Sequence, residues 1–208
     1  MTSWARNTIV KPTVQTSELE SYFSKNDKEM FYQYLSKATN YFEYGSGGST
    51  YQASKSSNLI KIYSVESDLE WYTKLKNKIN NTNVNLIYCE MDTQPKTYGH
   101  PGPNSKLEDW VRYSSQICYL DPSDLNAIDF ILIDGRFRVA CCLNCFDIIN
   151  SDCLIAFDDF LDRSKYHVVL EFYDIIDNTV DNRMVILKKK INITVPRGLI
   201  EKYQTDSG

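Results

Sequence analysis

Acidic residues recur in this 208-residue chain just after runs of apolar ones. Glu43 follows Tyr41-Phe42, Glu66 closes the run from Leu59, and Asp92 comes shortly after the run from Val84 to Cys89. Asp134 follows Ala127 to Ile133, and the pair Asp158-Asp159 follows Cys153 to Phe157. Beyond Glu43 lies Gly45-Ser46-Gly47-Gly48-Ser49-Thr50. Glycines there let the backbone take positive φ and let a ligand approach closely. A helix opening at such a turn aims free N–H groups and its positive dipole end at the ligand. Glu66, 21 positions after Gly45, has the spacing of a carboxylate that holds ribose hydroxyls. Three carboxylates on one rim, Asp134, Asp158 and Asp159, repel one another unless some are protonated or share a cation. Magnesium, with its preference for oxygen ligands, is the economical cation. The competing assignment has one aspartate capping a helix and another pairing with Arg136, Arg138 or Arg163.

These positions make sense only if the apolar runs are strands of one sheet. Strands are expected at 39–44, 59–66, 84–89, 127–135 and 153–159, with helices between them. Ser67 or Asp68 caps a helix whose inner face is Leu69, Tyr72, Leu75 and Ile79. Residues 18–37 are expected as two short helices broken near Asn26-Asp27, and 166–176 as a helix. Strands then follow at 183–188 and in 191–200. Repeated strand–helix alternation predicts an α/β, Rossmann-like, doubly wound and mostly parallel sheet of seven strands, whose ligand lies at the strand carboxyl ends.

One domain is expected over 1–208. Residues 1–37 supply an arm or lid and helices, and the aromatic residues there suit a homodimer contact. Residues 93–126 interrupt the alternation with Pro95, Gly99, Pro101, Gly102 and Pro103, then allow a helix over 107–116. A break this long reads as a substrate-side insertion. Its aromatics, Tyr98, Trp110, Tyr113 and Tyr119, suit either a sugar-like acceptor or their own packing.

The net charge of −4 gives no electrostatic footprint for nucleic acid or an anionic membrane. With neither a leader-like start nor a long apolar run, a cytoplasmic location is expected. Of six cysteines, Cys142 and Cys145 form one C-x-x-C, but Val139, Leu143, Phe146 and Ile149 around them have the spacing of a buried helix face. These read as packed thiols rather than a zinc site.

The Glu43-Tyr-Gly-Ser-Gly-Gly stretch resembles the glycine loop of class I S-adenosylmethionine-dependent methyltransferases. Ile133-Asp134-Gly135 and Asp158-Asp159 are similar to motifs of the macrocin-type sugar O-methyltransferases. The resemblance spans roughly residues 38–190 and implies S-adenosylmethionine as cofactor. Glu43, Gly45, Ser46, Gly47, Ser49 and Thr50 would then serve the methionine end, Glu66 and Ser67 the ribose, and Asp92 the adenine edge. It further implies Asp134, Asp158 and Asp159 as magnesium ligands beside an acceptor hydroxyl. Asp134 is the candidate base, also close to the cofactor, with His167 the runner-up. His100 lies in the insertion and has a weaker claim. Arg136-Phe137-Arg138 departs from the family pattern and suits an anionic acceptor such as a nucleotide sugar. A small-molecule sugar or nucleotide-sugar acceptor follows, and no Pro-Pro-Tyr motif of amino-methyltransferases stands after the fourth strand. An NAD-dependent oxidoreductase is the first alternative, weakened because Thr50 occupies the third glycine position. A non-catalytic methyltransferase-like module is the second.

Overall fold

The computed structural model describes residues 18–181 and 183–208. The segment 1–17, read above as an arm or lid, lies outside the described residues. Seven strands form one sheet: β1 (Asn40–Tyr44), β2 (Lys61–Glu66), β3 (Val84–Tyr88), β4 (Phe130–Ile133), β5 (Leu154–Phe157), β6 (Tyr173–Asn178) and β7 (Val185–Lys189). Their spatial order is β3-β2-β1-β4-β5-β7-β6. The first five are parallel, and β7 runs antiparallel to both β5 and β6. A dinucleotide fold continues parallel with order 3-2-1-4-5-6. The antiparallel β7 inserted beside β5 separates this sheet from that pattern.

Side chains alternate between the two faces of the central strands, as the period of two requires. Phe42, Tyr44, Ile131 and Ile133 join one apolar cluster, while Tyr41, Phe130 and Leu132 join the other. Both faces are therefore covered, which is why β4 is apolar throughout. The helices are α1 (Lys25–Leu35), α2 (Gly48–Ala53), α3 (Leu69–Lys78), α4 (Leu107–Ser114), α5 (Pro122–Ala127), α6 (Arg138–Phe146) and α7 (Arg197–Tyr203). Cys141, Cys142 and Cys145 are buried free thiols on α6, as their spacing implied.

Several expected elements differ. Asn26-Asp27 does not divide two helices. Ser24 caps α1, and Asp27 is the third residue of a reciprocal box, its carboxylate accepting from the Ser24 N–H at 3.3 Å. On α3 Leu75 is buried but Leu69 is exposed, so that helix presents a narrower inner face than its pattern suggested. Residues 166–176 are not one helix. A 3-10 helix at Ser164–Glu171 gives way to edge strand β6, and β-branched Ile175 and Ile176 suit that pleat. The strand expected within 191–200 is absent; Arg197 instead starts α7. Seven strands stand as expected, with β6 taken from a different stretch.

Candidate active site

The parallel strands end at a common rim, where a cavity of about 740 Å³ opens. Gly45 makes the turn after β1 with φ of +93°, a conformation costly for any residue with a Cβ. A Cβ there would also sit 2.8 Å from backbone atoms of Asp134 and Gly135, so the β1 and β4 turns touch. Gly47 faces open space: a Cβ would meet nothing nearer than the Trp71 ring nitrogen at 4.0 Å. The Trp71 indole, on α3, donates to the Ser46 carbonyl at 2.7 Å and holds the loop. Gly45, Ser46, Gly47 and Ser49 all line the cavity.

Glu43 and Thr50 do not line it. Glu43 is fully buried beneath the loop, accepting from Tyr41 at 2.8 Å, Ser49 at 2.9 Å, Ser64 at 2.7 Å and also from Thr50. Burial pushes its carboxyl upward while these hydroxyls pull the other way. Both residues shape the loop from below. Glu66 does reach the cavity. One of its oxygens, Oε1, accepts from the Ser67 and Asp68 N–H groups at 2.7 and 2.8 Å, which leaves Oε2 for a ligand. Burial raises its pKa to about 8, opposed by those two N–H groups. Ser67 lines the cavity beside it and reaches the Gly99 carbonyl at 3.3 Å.

Asp92 does not line the cavity. Its Oδ2 accepts from the Asn104 N–H at 2.9 Å and side-chain amide at 3.1 Å, tying the insertion's loop together. Its Oδ2 is thereby committed within the insertion. The insertion folds over the rim, and its aromatics divide. Tyr113 is buried, and its hydroxyl accepts from the Arg136 N–H at 3.3 Å. Trp110 stacks on Phe137 at 5.8 Å. Tyr119 is exposed away from the cavity, and Tyr98, 87% exposed, stands on the cavity wall.

At the β4 and β5 ends, Asp134, Asp158 and Asp159 come together around Arg138, the first residue of α6. Arg138 is 4% exposed, whereas the Asp134 side chain is 29% exposed and opens to the cavity. Asp158 Oδ1 is buried with no hydrogen-bond partner. Burial first, then the neighbouring Asp134 charge, pushes the Asp158 pKa up to about 8, against the pull of Arg138. Asp134 is likewise raised by burial and opposed by Arg138. Two carboxyls so placed titrate as a pair. Asp159 is taken by Arg163 and Arg183, both at 2.7 Å.

A magnesium site does not fit these donors. A guanidinium lies where the ion would sit, and no group of three or more acidic, histidine or cysteine side chains is placed to share an ion among the described residues. His167 does not reach the cavity either: its Nε2 lies 3.2 Å from the Phe160 carbonyl and its ring packs on Phe160. Arg136 does line the cavity, with Nη1 2.9 Å from His100 Nε2 and its Nε buried without a partner. No carboxylate pairs with it among the described residues. Burial and the Arg136 charge hold the His100 pKa down, so that ring is neutral near pH 7. Sequence patterning missed Trp71, Lys96 and Arg183 as lining residues. Only Trp71 left a signal, one turn after the Asp68 cap at a strand end.

No family model matches the sequence, and no curated protein does. Among solved structures the chain is similar to a methyltransferase-like protein from Silicibacter pomeroyi, at 25% identity and a TM-score of 0.78. That match covers 91% of this chain and 98% of the other. Ribosomal protein L11 methylase from Lactobacillus delbrueckii subsp. bulgaricus matches at 12% identity and a TM-score of 0.51, covering 82% of each chain. Precorrin 8w decarboxylase from Methanobacterium thermoautotrophicum matches at 10% identity and 0.51, covering 83% of this chain and 94% of the other. The latter two show the fold alone. No helix among the described residues is long and apolar enough to cross a membrane. Sheet order, glycine turn and the Silicibacter likeness together give the chain a methyltransferase-like fold, a Rossmann-like α/β sheet of seven strands.

Proposed function

We propose that the chain is an S-adenosylmethionine-dependent O-methyltransferase acting on a small hydroxylated acceptor of the sugar or nucleotide-sugar kind. The observation that carries this reading is the strand-end cavity lined by the glycine turn, Glu66 and Asp134, with the buried Asp158 Oδ1 beside them lacking a hydrogen-bond partner. The cofactor fits the residues present. Gly47 leaves open space at the cavity, Gly45 lets the β1 and β4 turns meet at the rim, and Glu66 offers one free oxygen to a ribose diol. When bound, S-adenosylmethionine supplies an electrophilic methyl group.

The chain's own residues do the rest. The Gly45–Gly47 turn and Glu66 hold the nucleoside and amino acid ends in fixed orientation, which is positioning catalysis. Asp134, open to the cavity, accepts the acceptor's hydroxyl proton, and Asp158 shares that proton in the carboxyl pair. The proton released from the acceptor hydroxyl would remain on the Asp134–Asp158 carboxyls. Arg136, lacking a carboxylate partner, faces the cavity as a contact for an anionic group on the acceptor. Tyr98 on the wall offers its ring to a sugar face.

Isothermal titration of the full chain with S-adenosylmethionine and S-adenosylhomocysteine tests the reading, followed by an acceptor screen over nucleotide sugars. Micromolar binding is expected. Glu66→Ala should weaken it roughly 10- to 100-fold, the loss of a hydrogen bond to a carboxylate. No binding of either ligand to folded protein would end the proposal.

A further inference from the structure

We infer that the Arg138 guanidinium serves this site as a fixed internal cation in the place of a divalent metal, and that the site excludes metal ions for that reason. A cation between Asp134, Asp158 and Asp159 would have to stand where Arg138 stands. Its Nη2 lies 3.0 Å from Asp134 Oδ1, and its Nη1 lies 3.5 Å from Asp159 Oδ2 and 3.9 Å from Asp158 Oδ2. The same side chain is bolted to both strand ends through backbone carbonyls. Nε donates to the Gly135 carbonyl at 3.0 Å, Nη1 to that of Asp158 at 2.6 Å and Nη2 to that of Asp134 at 3.3 Å. The five N–H donors of the planar fork are thereby all assigned, a geometry that lysine cannot reproduce.

Charge balance points the same way. Arg163 and Arg183 each hold Asp159 at 2.7 Å, so with Arg138 three guanidinium charges already meet three aspartates, whose negative charge the raised pKa of Asp158 lessens further. An added dication would need oxygen ligands at 2.0 to 2.6 Å and would meet the guanidinium's positive charge first. Arg138 is the first residue of α6, and a helical side chain there leans back over the turn before it, toward the strand ends. Arg138 touches neither acceptor nor cofactor in this scheme. It is a positioning residue, setting the direction of Asp134, and its catalytic consequence rests on the methyl-transfer reading above; its exclusion of metal does not.

The test is a Mn²⁺ titration of the full chain, followed by the electron paramagnetic resonance of the free ion. Wild-type protein should show no site-specific binding up to about 1 mM, the weak end of oxygen-ligand sites. Arg138→Met, of similar length and uncharged, should gain Mn²⁺ affinity at least tenfold. Arg138→Met combined with Asp158→Asn should lose that gain. Arg138→Lys keeps the charge and loses the fork. It should still exclude Mn²⁺, and should lower kcat about tenfold or more while S-adenosylmethionine affinity stays within about twofold. Wild-type binding at 0.1 mM or tighter that Asp158→Asn abolishes would overturn the inference, and so would folded Arg138→Met with no gain. If Arg138→Met does not fold, the wild-type and Arg138→Lys titrations decide. Absence of S-adenosylmethionine binding, seen separately by calorimetry, would remove the methyl-transfer reading and leave the Mn²⁺ result standing.

Discussion

At the scale of single residues, the site depends on which carboxylates are free and which are committed. Glu43 and Asp92 looked equivalent to Glu66 in the sequence, each near a strand end. Four hydroxyls surround Glu43, and Asn104 holds Asp92, whereas Glu66 keeps one oxygen for the cavity. Which hydroxyls gather round a carboxylate depends on neighbouring strands, so Ser64 on β2 could not be assigned to Glu43 from spacing. Asp158 gives the sharpest kinetic expectation. Burial raises its pKa to about 8, so the carboxyl pair holds a proton below that pH. A base must be unprotonated to act. The rate should therefore rise with pH as the Asp134–Asp158 pair loses its proton, and level off above that step. A pH–kcat/KM profile checks this, and Asp158→Asn should abolish the inflection and lower kcat.

Among elements, the contact between the β1 and β4 turns and α4 decides whether the rim closes correctly. An added Cβ at Gly135 would lie 2.0 Å from the Tyr113 hydroxyl and 2.9 Å from the Gly45 nitrogen. Gly135→Ala should cost about 1–3 kcal/mol by overpacking, read from urea unfolding at constant m-value. Adding Tyr113→Phe should recover part of that loss, because the hydroxyl is the nearer obstacle, and a double-mutant cycle measures the coupling. The central strands were legible in the sequence because burial on both faces leaves a continuous apolar run, as in Phe130–Ile133. Strand β6 was not. Its residues Ile175 and Ile176 lie within a stretch whose apolar spacing also fits a helix, and only pairing with β7 selects the extended form.

On the whole-molecule scale, two buried acids with raised pKa values make stability depend on pH. Glu66 and Asp158 are both pushed to about 8 in the folded chain, above their ordinary values. The folded state thus binds their protons more tightly than the unfolded state does. The stability they contribute is fully present below about pH 4 and is lost as pH rises through 8. Thermal denaturation should show Tm falling between about pH 4 and 8, and Asp158→Asn should flatten that fall. The cluster of three aspartates and three arginines holds its charges near the ligand end of the sheet, where a bound cofactor changes their surroundings.

Sequence alone carried the sheet, the glycine turn and the positions of the acidic residues, because strand length, apolar runs and glycine placement are local properties of the chain. It also carried the pairing of arginine with aspartate as an alternative to magnesium, without deciding between them. That decision needed the tertiary structure. Arg138 reaches Asp158 and Asp159 only after β4 and β5 lie side by side, 20 residues apart in sequence but in direct contact in the fold. A guanidinium brought between carboxylates by packing leaves no mark in residue spacing, and it changes the chemistry of the cluster from a metal centre to a buried ion pair with one carboxyl oxygen left free.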